Sequence, residues 1–86
     1  MSNTFDRFVY GNKIIVNKEN KTAFQLKDEY SNIVNFIKGD NIFFIESHGH
    51  VCSSKLMDYD IEDEKIVVED GYITFINNCI FVGRID

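Results

Sequence analysis

Three stretches of this 86-residue chain hold residue types that could do chemistry. The first is His48-Gly49-His50-Val51-Cys52. In an extended strand, positions i, i+2 and i+4 point to one face, so two imidazoles and a thiolate project together. Such a set suits zinc, which takes nitrogen and sulfur ligands in a tetrahedron, with Cys79 or an acid as a fourth ligand. Gly49 favours a different arrangement, a hairpin with His48-Gly49 or Gly49-His50 as its loop. The histidines then stand at an exposed tip, and Cys52 is a small, half-buried hydrophobe.

The His48-x-His50 pair also resembles the histidine pairs that hold iron on the axis of trimeric phage spike tips. That resemblance implies an iron-binding structural protein. The second stretch is the acidic run of Asp58, Asp60, Glu62, Asp63, Glu64, Glu69 and Asp70, which holds half of the chain's acids. It resembles an EF-hand loop, with Asp58, Asp60, Glu62 and Glu69 at ligand positions 1, 3, 5 and 12. It departs at the sixth position, where Asp63 replaces the turn glycine, and at the eighth, where Lys65 replaces a hydrophobe. A solvated acidic loop is the plain alternative. The functional alternative is docking: carboxylates along a rigid hairpin imitate nucleic-acid phosphates and occupy a basic groove. Tyr59 and Tyr72 are residue types that anchor such interfaces. Tyr72 also reads as a cross-strand partner of Glu69.

The third stretch is N-terminal. Arg7, Lys13, Lys18 and Lys21 lie near Phe5, Phe8, Tyr10 and Phe24, a mixture that can stack single-stranded bases. The same aromatics serve equally as core, with lysines solubilising a strand edge. Catalysis finds little support. Ser47, Ser53 and Ser54 lack a nucleophile-elbow context, and the five glycines form no phosphate loop. A domain of this size also leaves little room for a pocket.

The elements that must position these residues are strand-like. Ile and Val number 19 against three Leu and Ala, with eight Phe and no Pro or Trp. Branched and aromatic side chains fit a pleated, half-buried surface. A hydrophobic fraction of 44 % supports a folded core. One domain over residues 1–86 is expected. So short a chain is marginally stable alone, which makes a partner or a homo-oligomer a fair expectation. Without a long apolar run or a basic, apolar leader, a cytoplasmic protein with two reduced thiols and no membrane contact is expected. Rich in Ile, Asn, Lys, Asp and Phe, the composition resembles AT-rich coding, as in phages and mobile elements.

Asp70-Gly71 reads as a two-residue hairpin loop. It pairs Val68 with Ile73 and Ile66 with Phe75. Asn77-Asn78 as a second loop pairs Phe75 with Ile80 and Ile73 with Val82. These turns make a three-strand meander over 65–83, with six apolar residues on one face. Gly11-Asn12 links strands 5–10 and 13–17, a polar turn spans 18–21, and a third strand covers 22–26. Leu26, Tyr30, Ile33, Val34 and Ile37 are spaced as an amphipathic helix over 28–38, capped by Asp28 and ended by Gly39. Residue type favours a strand over 32–37 instead. A strand covers 41–46, with a short strand near 50–53 and a helical turn near 54–59.

The resulting fold class is α+β, a small antiparallel sheet or open barrel with one helix. The net charge of −5 is carried entirely by residues 58–86, while residues 1–57 balance near neutral. The function expected from this is a non-enzymatic, phage- or mobile-element-encoded inhibitor. Its acidic face occludes a basic, nucleic-acid-binding surface on a host protein such as a defence nuclease, toxin or transcription factor. Asp58, Tyr59, Asp60, Glu62, Asp63, Glu64, Asp70 and Tyr72 are its candidate contacts. The alternatives are a zinc or iron module on His48, His50 and Cys52, and an RNA or single-stranded DNA binder.

Overall fold

The computed structural model describes residues 5–85. Nine strands run in chain order: β1 (Phe5–Tyr10), β2 (Ile15–Val16), β3 (Phe24–Lys27), β4 (Ile33–Phe36), β5 (Asn41–Glu46), β6 (Val51–Asp60), β7 (Lys65–Val68), β8 (Ile73–Phe75) and β9 (Cys79–Ile85). A single 3₁₀ turn, Ile76–Asn78, joins β8 to β9. Six strands form one sheet in the order β1-β9-β5-β6-β7-β8, and β2-β3-β4 form a second. Every pairing is antiparallel.

Alternation decides what enters the core, because successive side chains in a strand point to opposite faces. Ile42, Phe44 and Glu46 of β5 point inward, as do Val9, Leu56, Ile66, Val68 and Val82. The small sheet contributes Val16, Phe24, Leu26 and Phe36, with Ile14 just ahead of β2. The two sheets therefore share one apolar core. Their edges also meet. At one seam Arg7 donates to the Asn35 carbonyl, the Tyr10 N–H donates to Asp28, and the Asn12 N–H donates to Glu29. At the other, the Val16 N–H donates to the Glu64 carboxylate, and the Glu64 carbonyl takes the Ile76 N–H within the large sheet. The result is a flattened, nearly closed barrel whose seams are bridged largely by side chains.

The expected α+β class is overturned. The described chain is 57 % strand and 4 % helical, the latter being the 3₁₀ turn. Residues 28–38 form a loop and then β4. The helical spacing was a coincidence of two burial patterns. Leu26 is core on β3, whereas Tyr30, Ile33 and Ile37 are exposed. Phe36, which lies off the helical stripe, is buried. Asp28 does accept backbone N–H groups, from Tyr30 and Asn32, but in a hairpin loop with Ser31 at φ 72°. Short polar side chains satisfy turns as readily as helix starts.

The C-terminal meander is also corrected. The loop holds three residues, Glu69, Asp70 and Gly71, because the Gly71 N–H bonds to Val68 O and the Val68 N–H to Tyr72 O. Gly71 takes φ 89°, the left-handed position of a turn-plus-bulge loop. One extra loop residue shifts the register by one and reverses the faces of β8. Thr74 is 4 % exposed, and Ile73 and Phe75 are 51 % and 46 % exposed. Asn77-Asn78 makes no hairpin: β9 leaves β8 and inserts between β1 and β5. Val82 pairs with Val9 and Phe44 instead.

Nor does Gly11-Asn12 close a hairpin, since β1 and β2 lie in different sheets and the Gly11 N–H bonds to Ile80 O. Residues 51–60 form one strand, without the helical turn expected near 54–59. A bulge at Met57 bends it. That bend lets β6 pair with β5 at one end and β7 at the other.

The register yields a test on one residue type. Ile66→Ala should cost about 2–5 kcal/mol in denaturant unfolding, and Ile73→Ala less than about 1 kcal/mol. Equal losses would mean that Ile73 faces the core.

Candidate functional site

The acidic run is dispersed into the scaffold. Asp58 meets Lys38 at 3.3 Å and accepts the Tyr59 N–H at 2.8 Å. These contacts, the backbone hydrogen bond first and Lys38 next, hold its carboxyl below the usual range. Asp60 accepts the Asp63 N–H, and Asp63 lies 3.7 Å from Lys65. Glu62 faces Lys21 at 3.8 Å. Glu64 takes the Val16 N–H and sits 3.4 Å from Lys18. Asp70 accepts the Tyr72 N–H. Exposed ion pairs such as these contribute little to stability, but they neutralise the run locally.

Tyr59 is half-buried, its ring stacked 4.6 Å from Phe24 with the Lys38 ammonium 5.6 Å from its centre. The calcium-loop pattern is not realised, because Asp58 and Asp60 belong to β6 and Glu69 to a later turn. Lys18 and Lys21 of the N-terminal cationic group are spent on Glu64 and Glu62, and Phe24 is core.

The histidine run is a hairpin tip. The Gly49 N–H bonds to Glu46 O and the Glu46 N–H to His50 O, with Gly49 at φ 104°. The loop is Ser47-His48-Gly49, again of three residues. Around it forms a polar cluster that no spacing rule announced. Glu46 is 3 % exposed, and its carboxylate bonds to His48 Nε2 and accepts the Tyr72 hydroxyl at 2.8 Å. The Tyr72 ring lies 5.0 Å from His50 and 6.3 Å from Phe44.

Burial opposes ionisation of Glu46. Hydrogen bonds from Thr74 and Tyr72 and the nearby imidazoles outweigh it and hold the carboxyl below its ordinary value. Glu46 was legible in one respect: it shares strand parity with Ile42 and Phe44, so it must face inward.

The thiols do not join. Cys52 packs against the core, and burial followed by nearby Asp70 and Glu46 raises its thiol. Cys79, beside Thr74 and the Phe75 carbonyl, is pushed up by burial to about 11. Neither cysteine is in a disulfide. Among the described residues no group of three or more His, Cys, Asp or Glu side chains is arranged to hold a metal ion. The depression bounded by Asn41, Ser53, Ser54, Lys55, Glu69 and Ile85, about 400 Å³, contains no histidine or cysteine. Among the described residues no helix is long and apolar enough to cross a membrane.

The most unusual surface is the outward side of the large sheet. Register aligns Phe8, Gly83, Phe43 and Ser53 across β1, β9, β5 and β6 in one row, and Tyr10, Phe81, Ile45 and Val51 in the next. Phe5 and Ile85 form a third row with Asn41 and Lys55. Ring centres lie 5.0 Å apart for Phe5–Phe81, 5.6 Å for Phe8–Phe81, 5.9 Å for Phe43–Phe81 and 4.8 Å for Tyr10–Tyr30. Gly83 is the floor: a Cβ there would stand 2.8 Å from Phe5 Cδ1 and 2.9 Å from Phe81 Cε1.

These rings pack on one another, yet Phe5, Phe8 and Tyr10 remain 37–43 % exposed. The sequence raised no expectation for Phe43, and placed Phe81 only on the mixed outer face of the expected C-terminal meander, a face too apolar to be wholly solvated. The signal was available, since 42–45 and 79–82 are apolar at both parities, the pattern of a strand covered on two sides. No family model, curated protein or solved structure matches the chain.

Glu46 gives the site a pH signature. A carboxyl depressed in the native state adds stability above its ordinary value of 4.5, and that stability is lost as pH falls through the depressed value. Denaturant midpoints measured between about pH 3 and 6 should fall steeply below 4.5 in the wild type, and less steeply in Glu46→Gln. Asp28, also depressed, supplies a residual slope. Identical acid limbs in the two proteins would contradict the assignment.

Proposed function

We propose that this chain is a small, non-enzymatic binding module that docks a protein partner on the outer aromatic face of its large sheet. The observation that carries this reading is the contiguous set Phe5, Phe8, Tyr10, Tyr30, Phe43 and Phe81, left partly exposed although the core is closed without it. Aromatic clusters in the centre of a patch are the usual energetic anchors of interfaces. Apolar patches of this extent on a monomer commonly mark interaction sites.

Occlusion of a basic host surface by the acidic run has weaker support. Asp58, Glu62, Asp63 and Glu64 already have lysine partners, and Asp60 and Asp70 are tied to turn backbone. Base stacking is also less well supported. The rings present many of their faces and edges to each other, and Arg7, Lys18 and Lys21 of the N-terminal cationic group are engaged by the Asn35 carbonyl, Glu64 and Glu62.

The test is affinity capture from the source cells with wild type, Phe8→Asp and a triple variant Asp60→Asn, Glu62→Gln, Asp63→Asn. Phe8→Asp should lose a specific partner by at least about tenfold in recovered mass-spectrometric signal, with the triple variant unaffected. The reverse pattern would move the function to the acidic run.

A further inference from the structure

We infer that the occupant of this face is a second copy of the chain, packed face to face across a twofold axis that runs diagonally to the strands. The inference rests on the docking reading above and names its partner.

Edge-to-edge pairing through β1 is hindered. The Tyr10 N–H is taken by Asp28, and Arg7 reaches across to the Asn35 carbonyl. An edge whose donors are already satisfied by side chains is a poor template for another strand. Beside β1, the outer face is therefore a better surface for association than the edge.

The footprint is nearly square: four strands at about 4.8 Å spacing give roughly 19 Å, and three outward rows give roughly 20 Å. A square patch is mapped onto itself by a twofold axis along its diagonal. That operation crosses the strands of the two copies at a steep angle, the orthogonal mode of sheet packing.

The charges at the corners fit the same operation. Lys55 lies on β6, in the row that begins at Phe5. Glu29 sits past the other end of β1, where its carboxylate takes the Asn12 N–H beside Tyr10. The two are at opposite corners, both exposed, and neither has an ion-pair partner among the described residues. The diagonal twofold brings each Lys55 against the Glu29 of the other copy. The centre of the patch is uncharged, so no like charges are forced into contact there, and the repulsion between two chains of −5 is of the long-range kind that salt screens.

At roughly 200 Å² per aromatic side chain, Phe5, Phe8, Tyr10 and Tyr30 alone leave about 350 Å² exposed on each copy. With the aliphatic rim the pair buries on the order of 1,000–1,200 Å², the lower end of specific interfaces, where association is weak and concentration-dependent.

Sedimentation equilibrium of the full chain from about 1 to 200 µM should show a monomer passing to a dimer. Phe8→Asp, with an unchanged circular dichroism spectrum, should remain monomeric throughout. Lys55→Glu and Glu29→Lys should each weaken the dimer roughly tenfold, and the double reversal should restore it. A wild-type monomer at every concentration would overturn the inference. So would a dimer indifferent to Phe8→Asp, or a double reversal no stronger than the singles. A monomer that still captures a different protein in a Phe8-dependent manner would overturn self-association while the docking face stands.

Discussion

With no α-helix among the described residues, the first sheet is covered by the second, and that constraint shapes much else in this molecule. The inner side of each sheet must leave water, and the three-stranded sheet is narrower than the six-stranded one. Burial of Phe24, Leu26 and Phe36 against Ile42, Phe44, Leu56 and Val82 drives the closure. Where the sheets meet, regular ladder bonds stop, and backbone donors need other partners. Carboxylates supply them: Asp28 and Glu29 on the β1 side, Glu64 on the β2 side. Arg84, held between Asp6 and Asp40, adds an ionic tie near the β1 end of the large sheet.

Closure uses up much of what looked available for function. Glu64, which belongs to the acidic run, is a seam residue with φ 55° and three neighbours to satisfy. Lysines from the first half of the chain fold over acids of the second, so the charge asymmetry along the sequence is partly erased in space. Glu46 and Tyr72 do similar work at the histidine hairpin, fastening the β5-β6 tip to β8's approach with a part-buried hydrogen bond. The surface not used in closing the core is the aromatic outer face. Phe5, Phe8 and Phe81 shield Gly83, which gives them a packing role, yet Phe5, Phe8, Tyr10 and Tyr30 of this face each remain more than a third exposed.

What could be read from the sequence was local. Strand 41–46 was legible because its apolar residues are bounded by Gly39-Asp40 and Ser47-His48, and it is β5. Turns at Gly49 and Gly71 were legible because both glycines take positive φ. Their loop length was not, since a glycine there fits a two-residue and a three-residue hairpin alike. That single residue moved Ile73 and Phe75 outward and Thr74 inward. The destination of β9 was hidden for another reason. Asn77-Asn78 permits a hairpin, and only the non-local offer of Val9 and Phe44 makes the crossing more favourable. The helix over 28–38 failed because residues of two loops and a strand happened to share a helical spacing. The aromatic face depended on pairing β1, β9 and β5, so it followed from topology rather than from any motif.

Hydroxyl-radical footprinting of the folded chain at dilute and at high concentration measures most directly whether that face becomes covered. Phe8, Tyr10, Phe43 and Phe81 should lose reactivity as concentration rises, while the exposed Ile73 and Phe75 on β8 keep theirs. Unchanged aromatic reactivity, or protection of Ile73 and Phe75 instead, would contradict a docking face on the outer side of the large sheet.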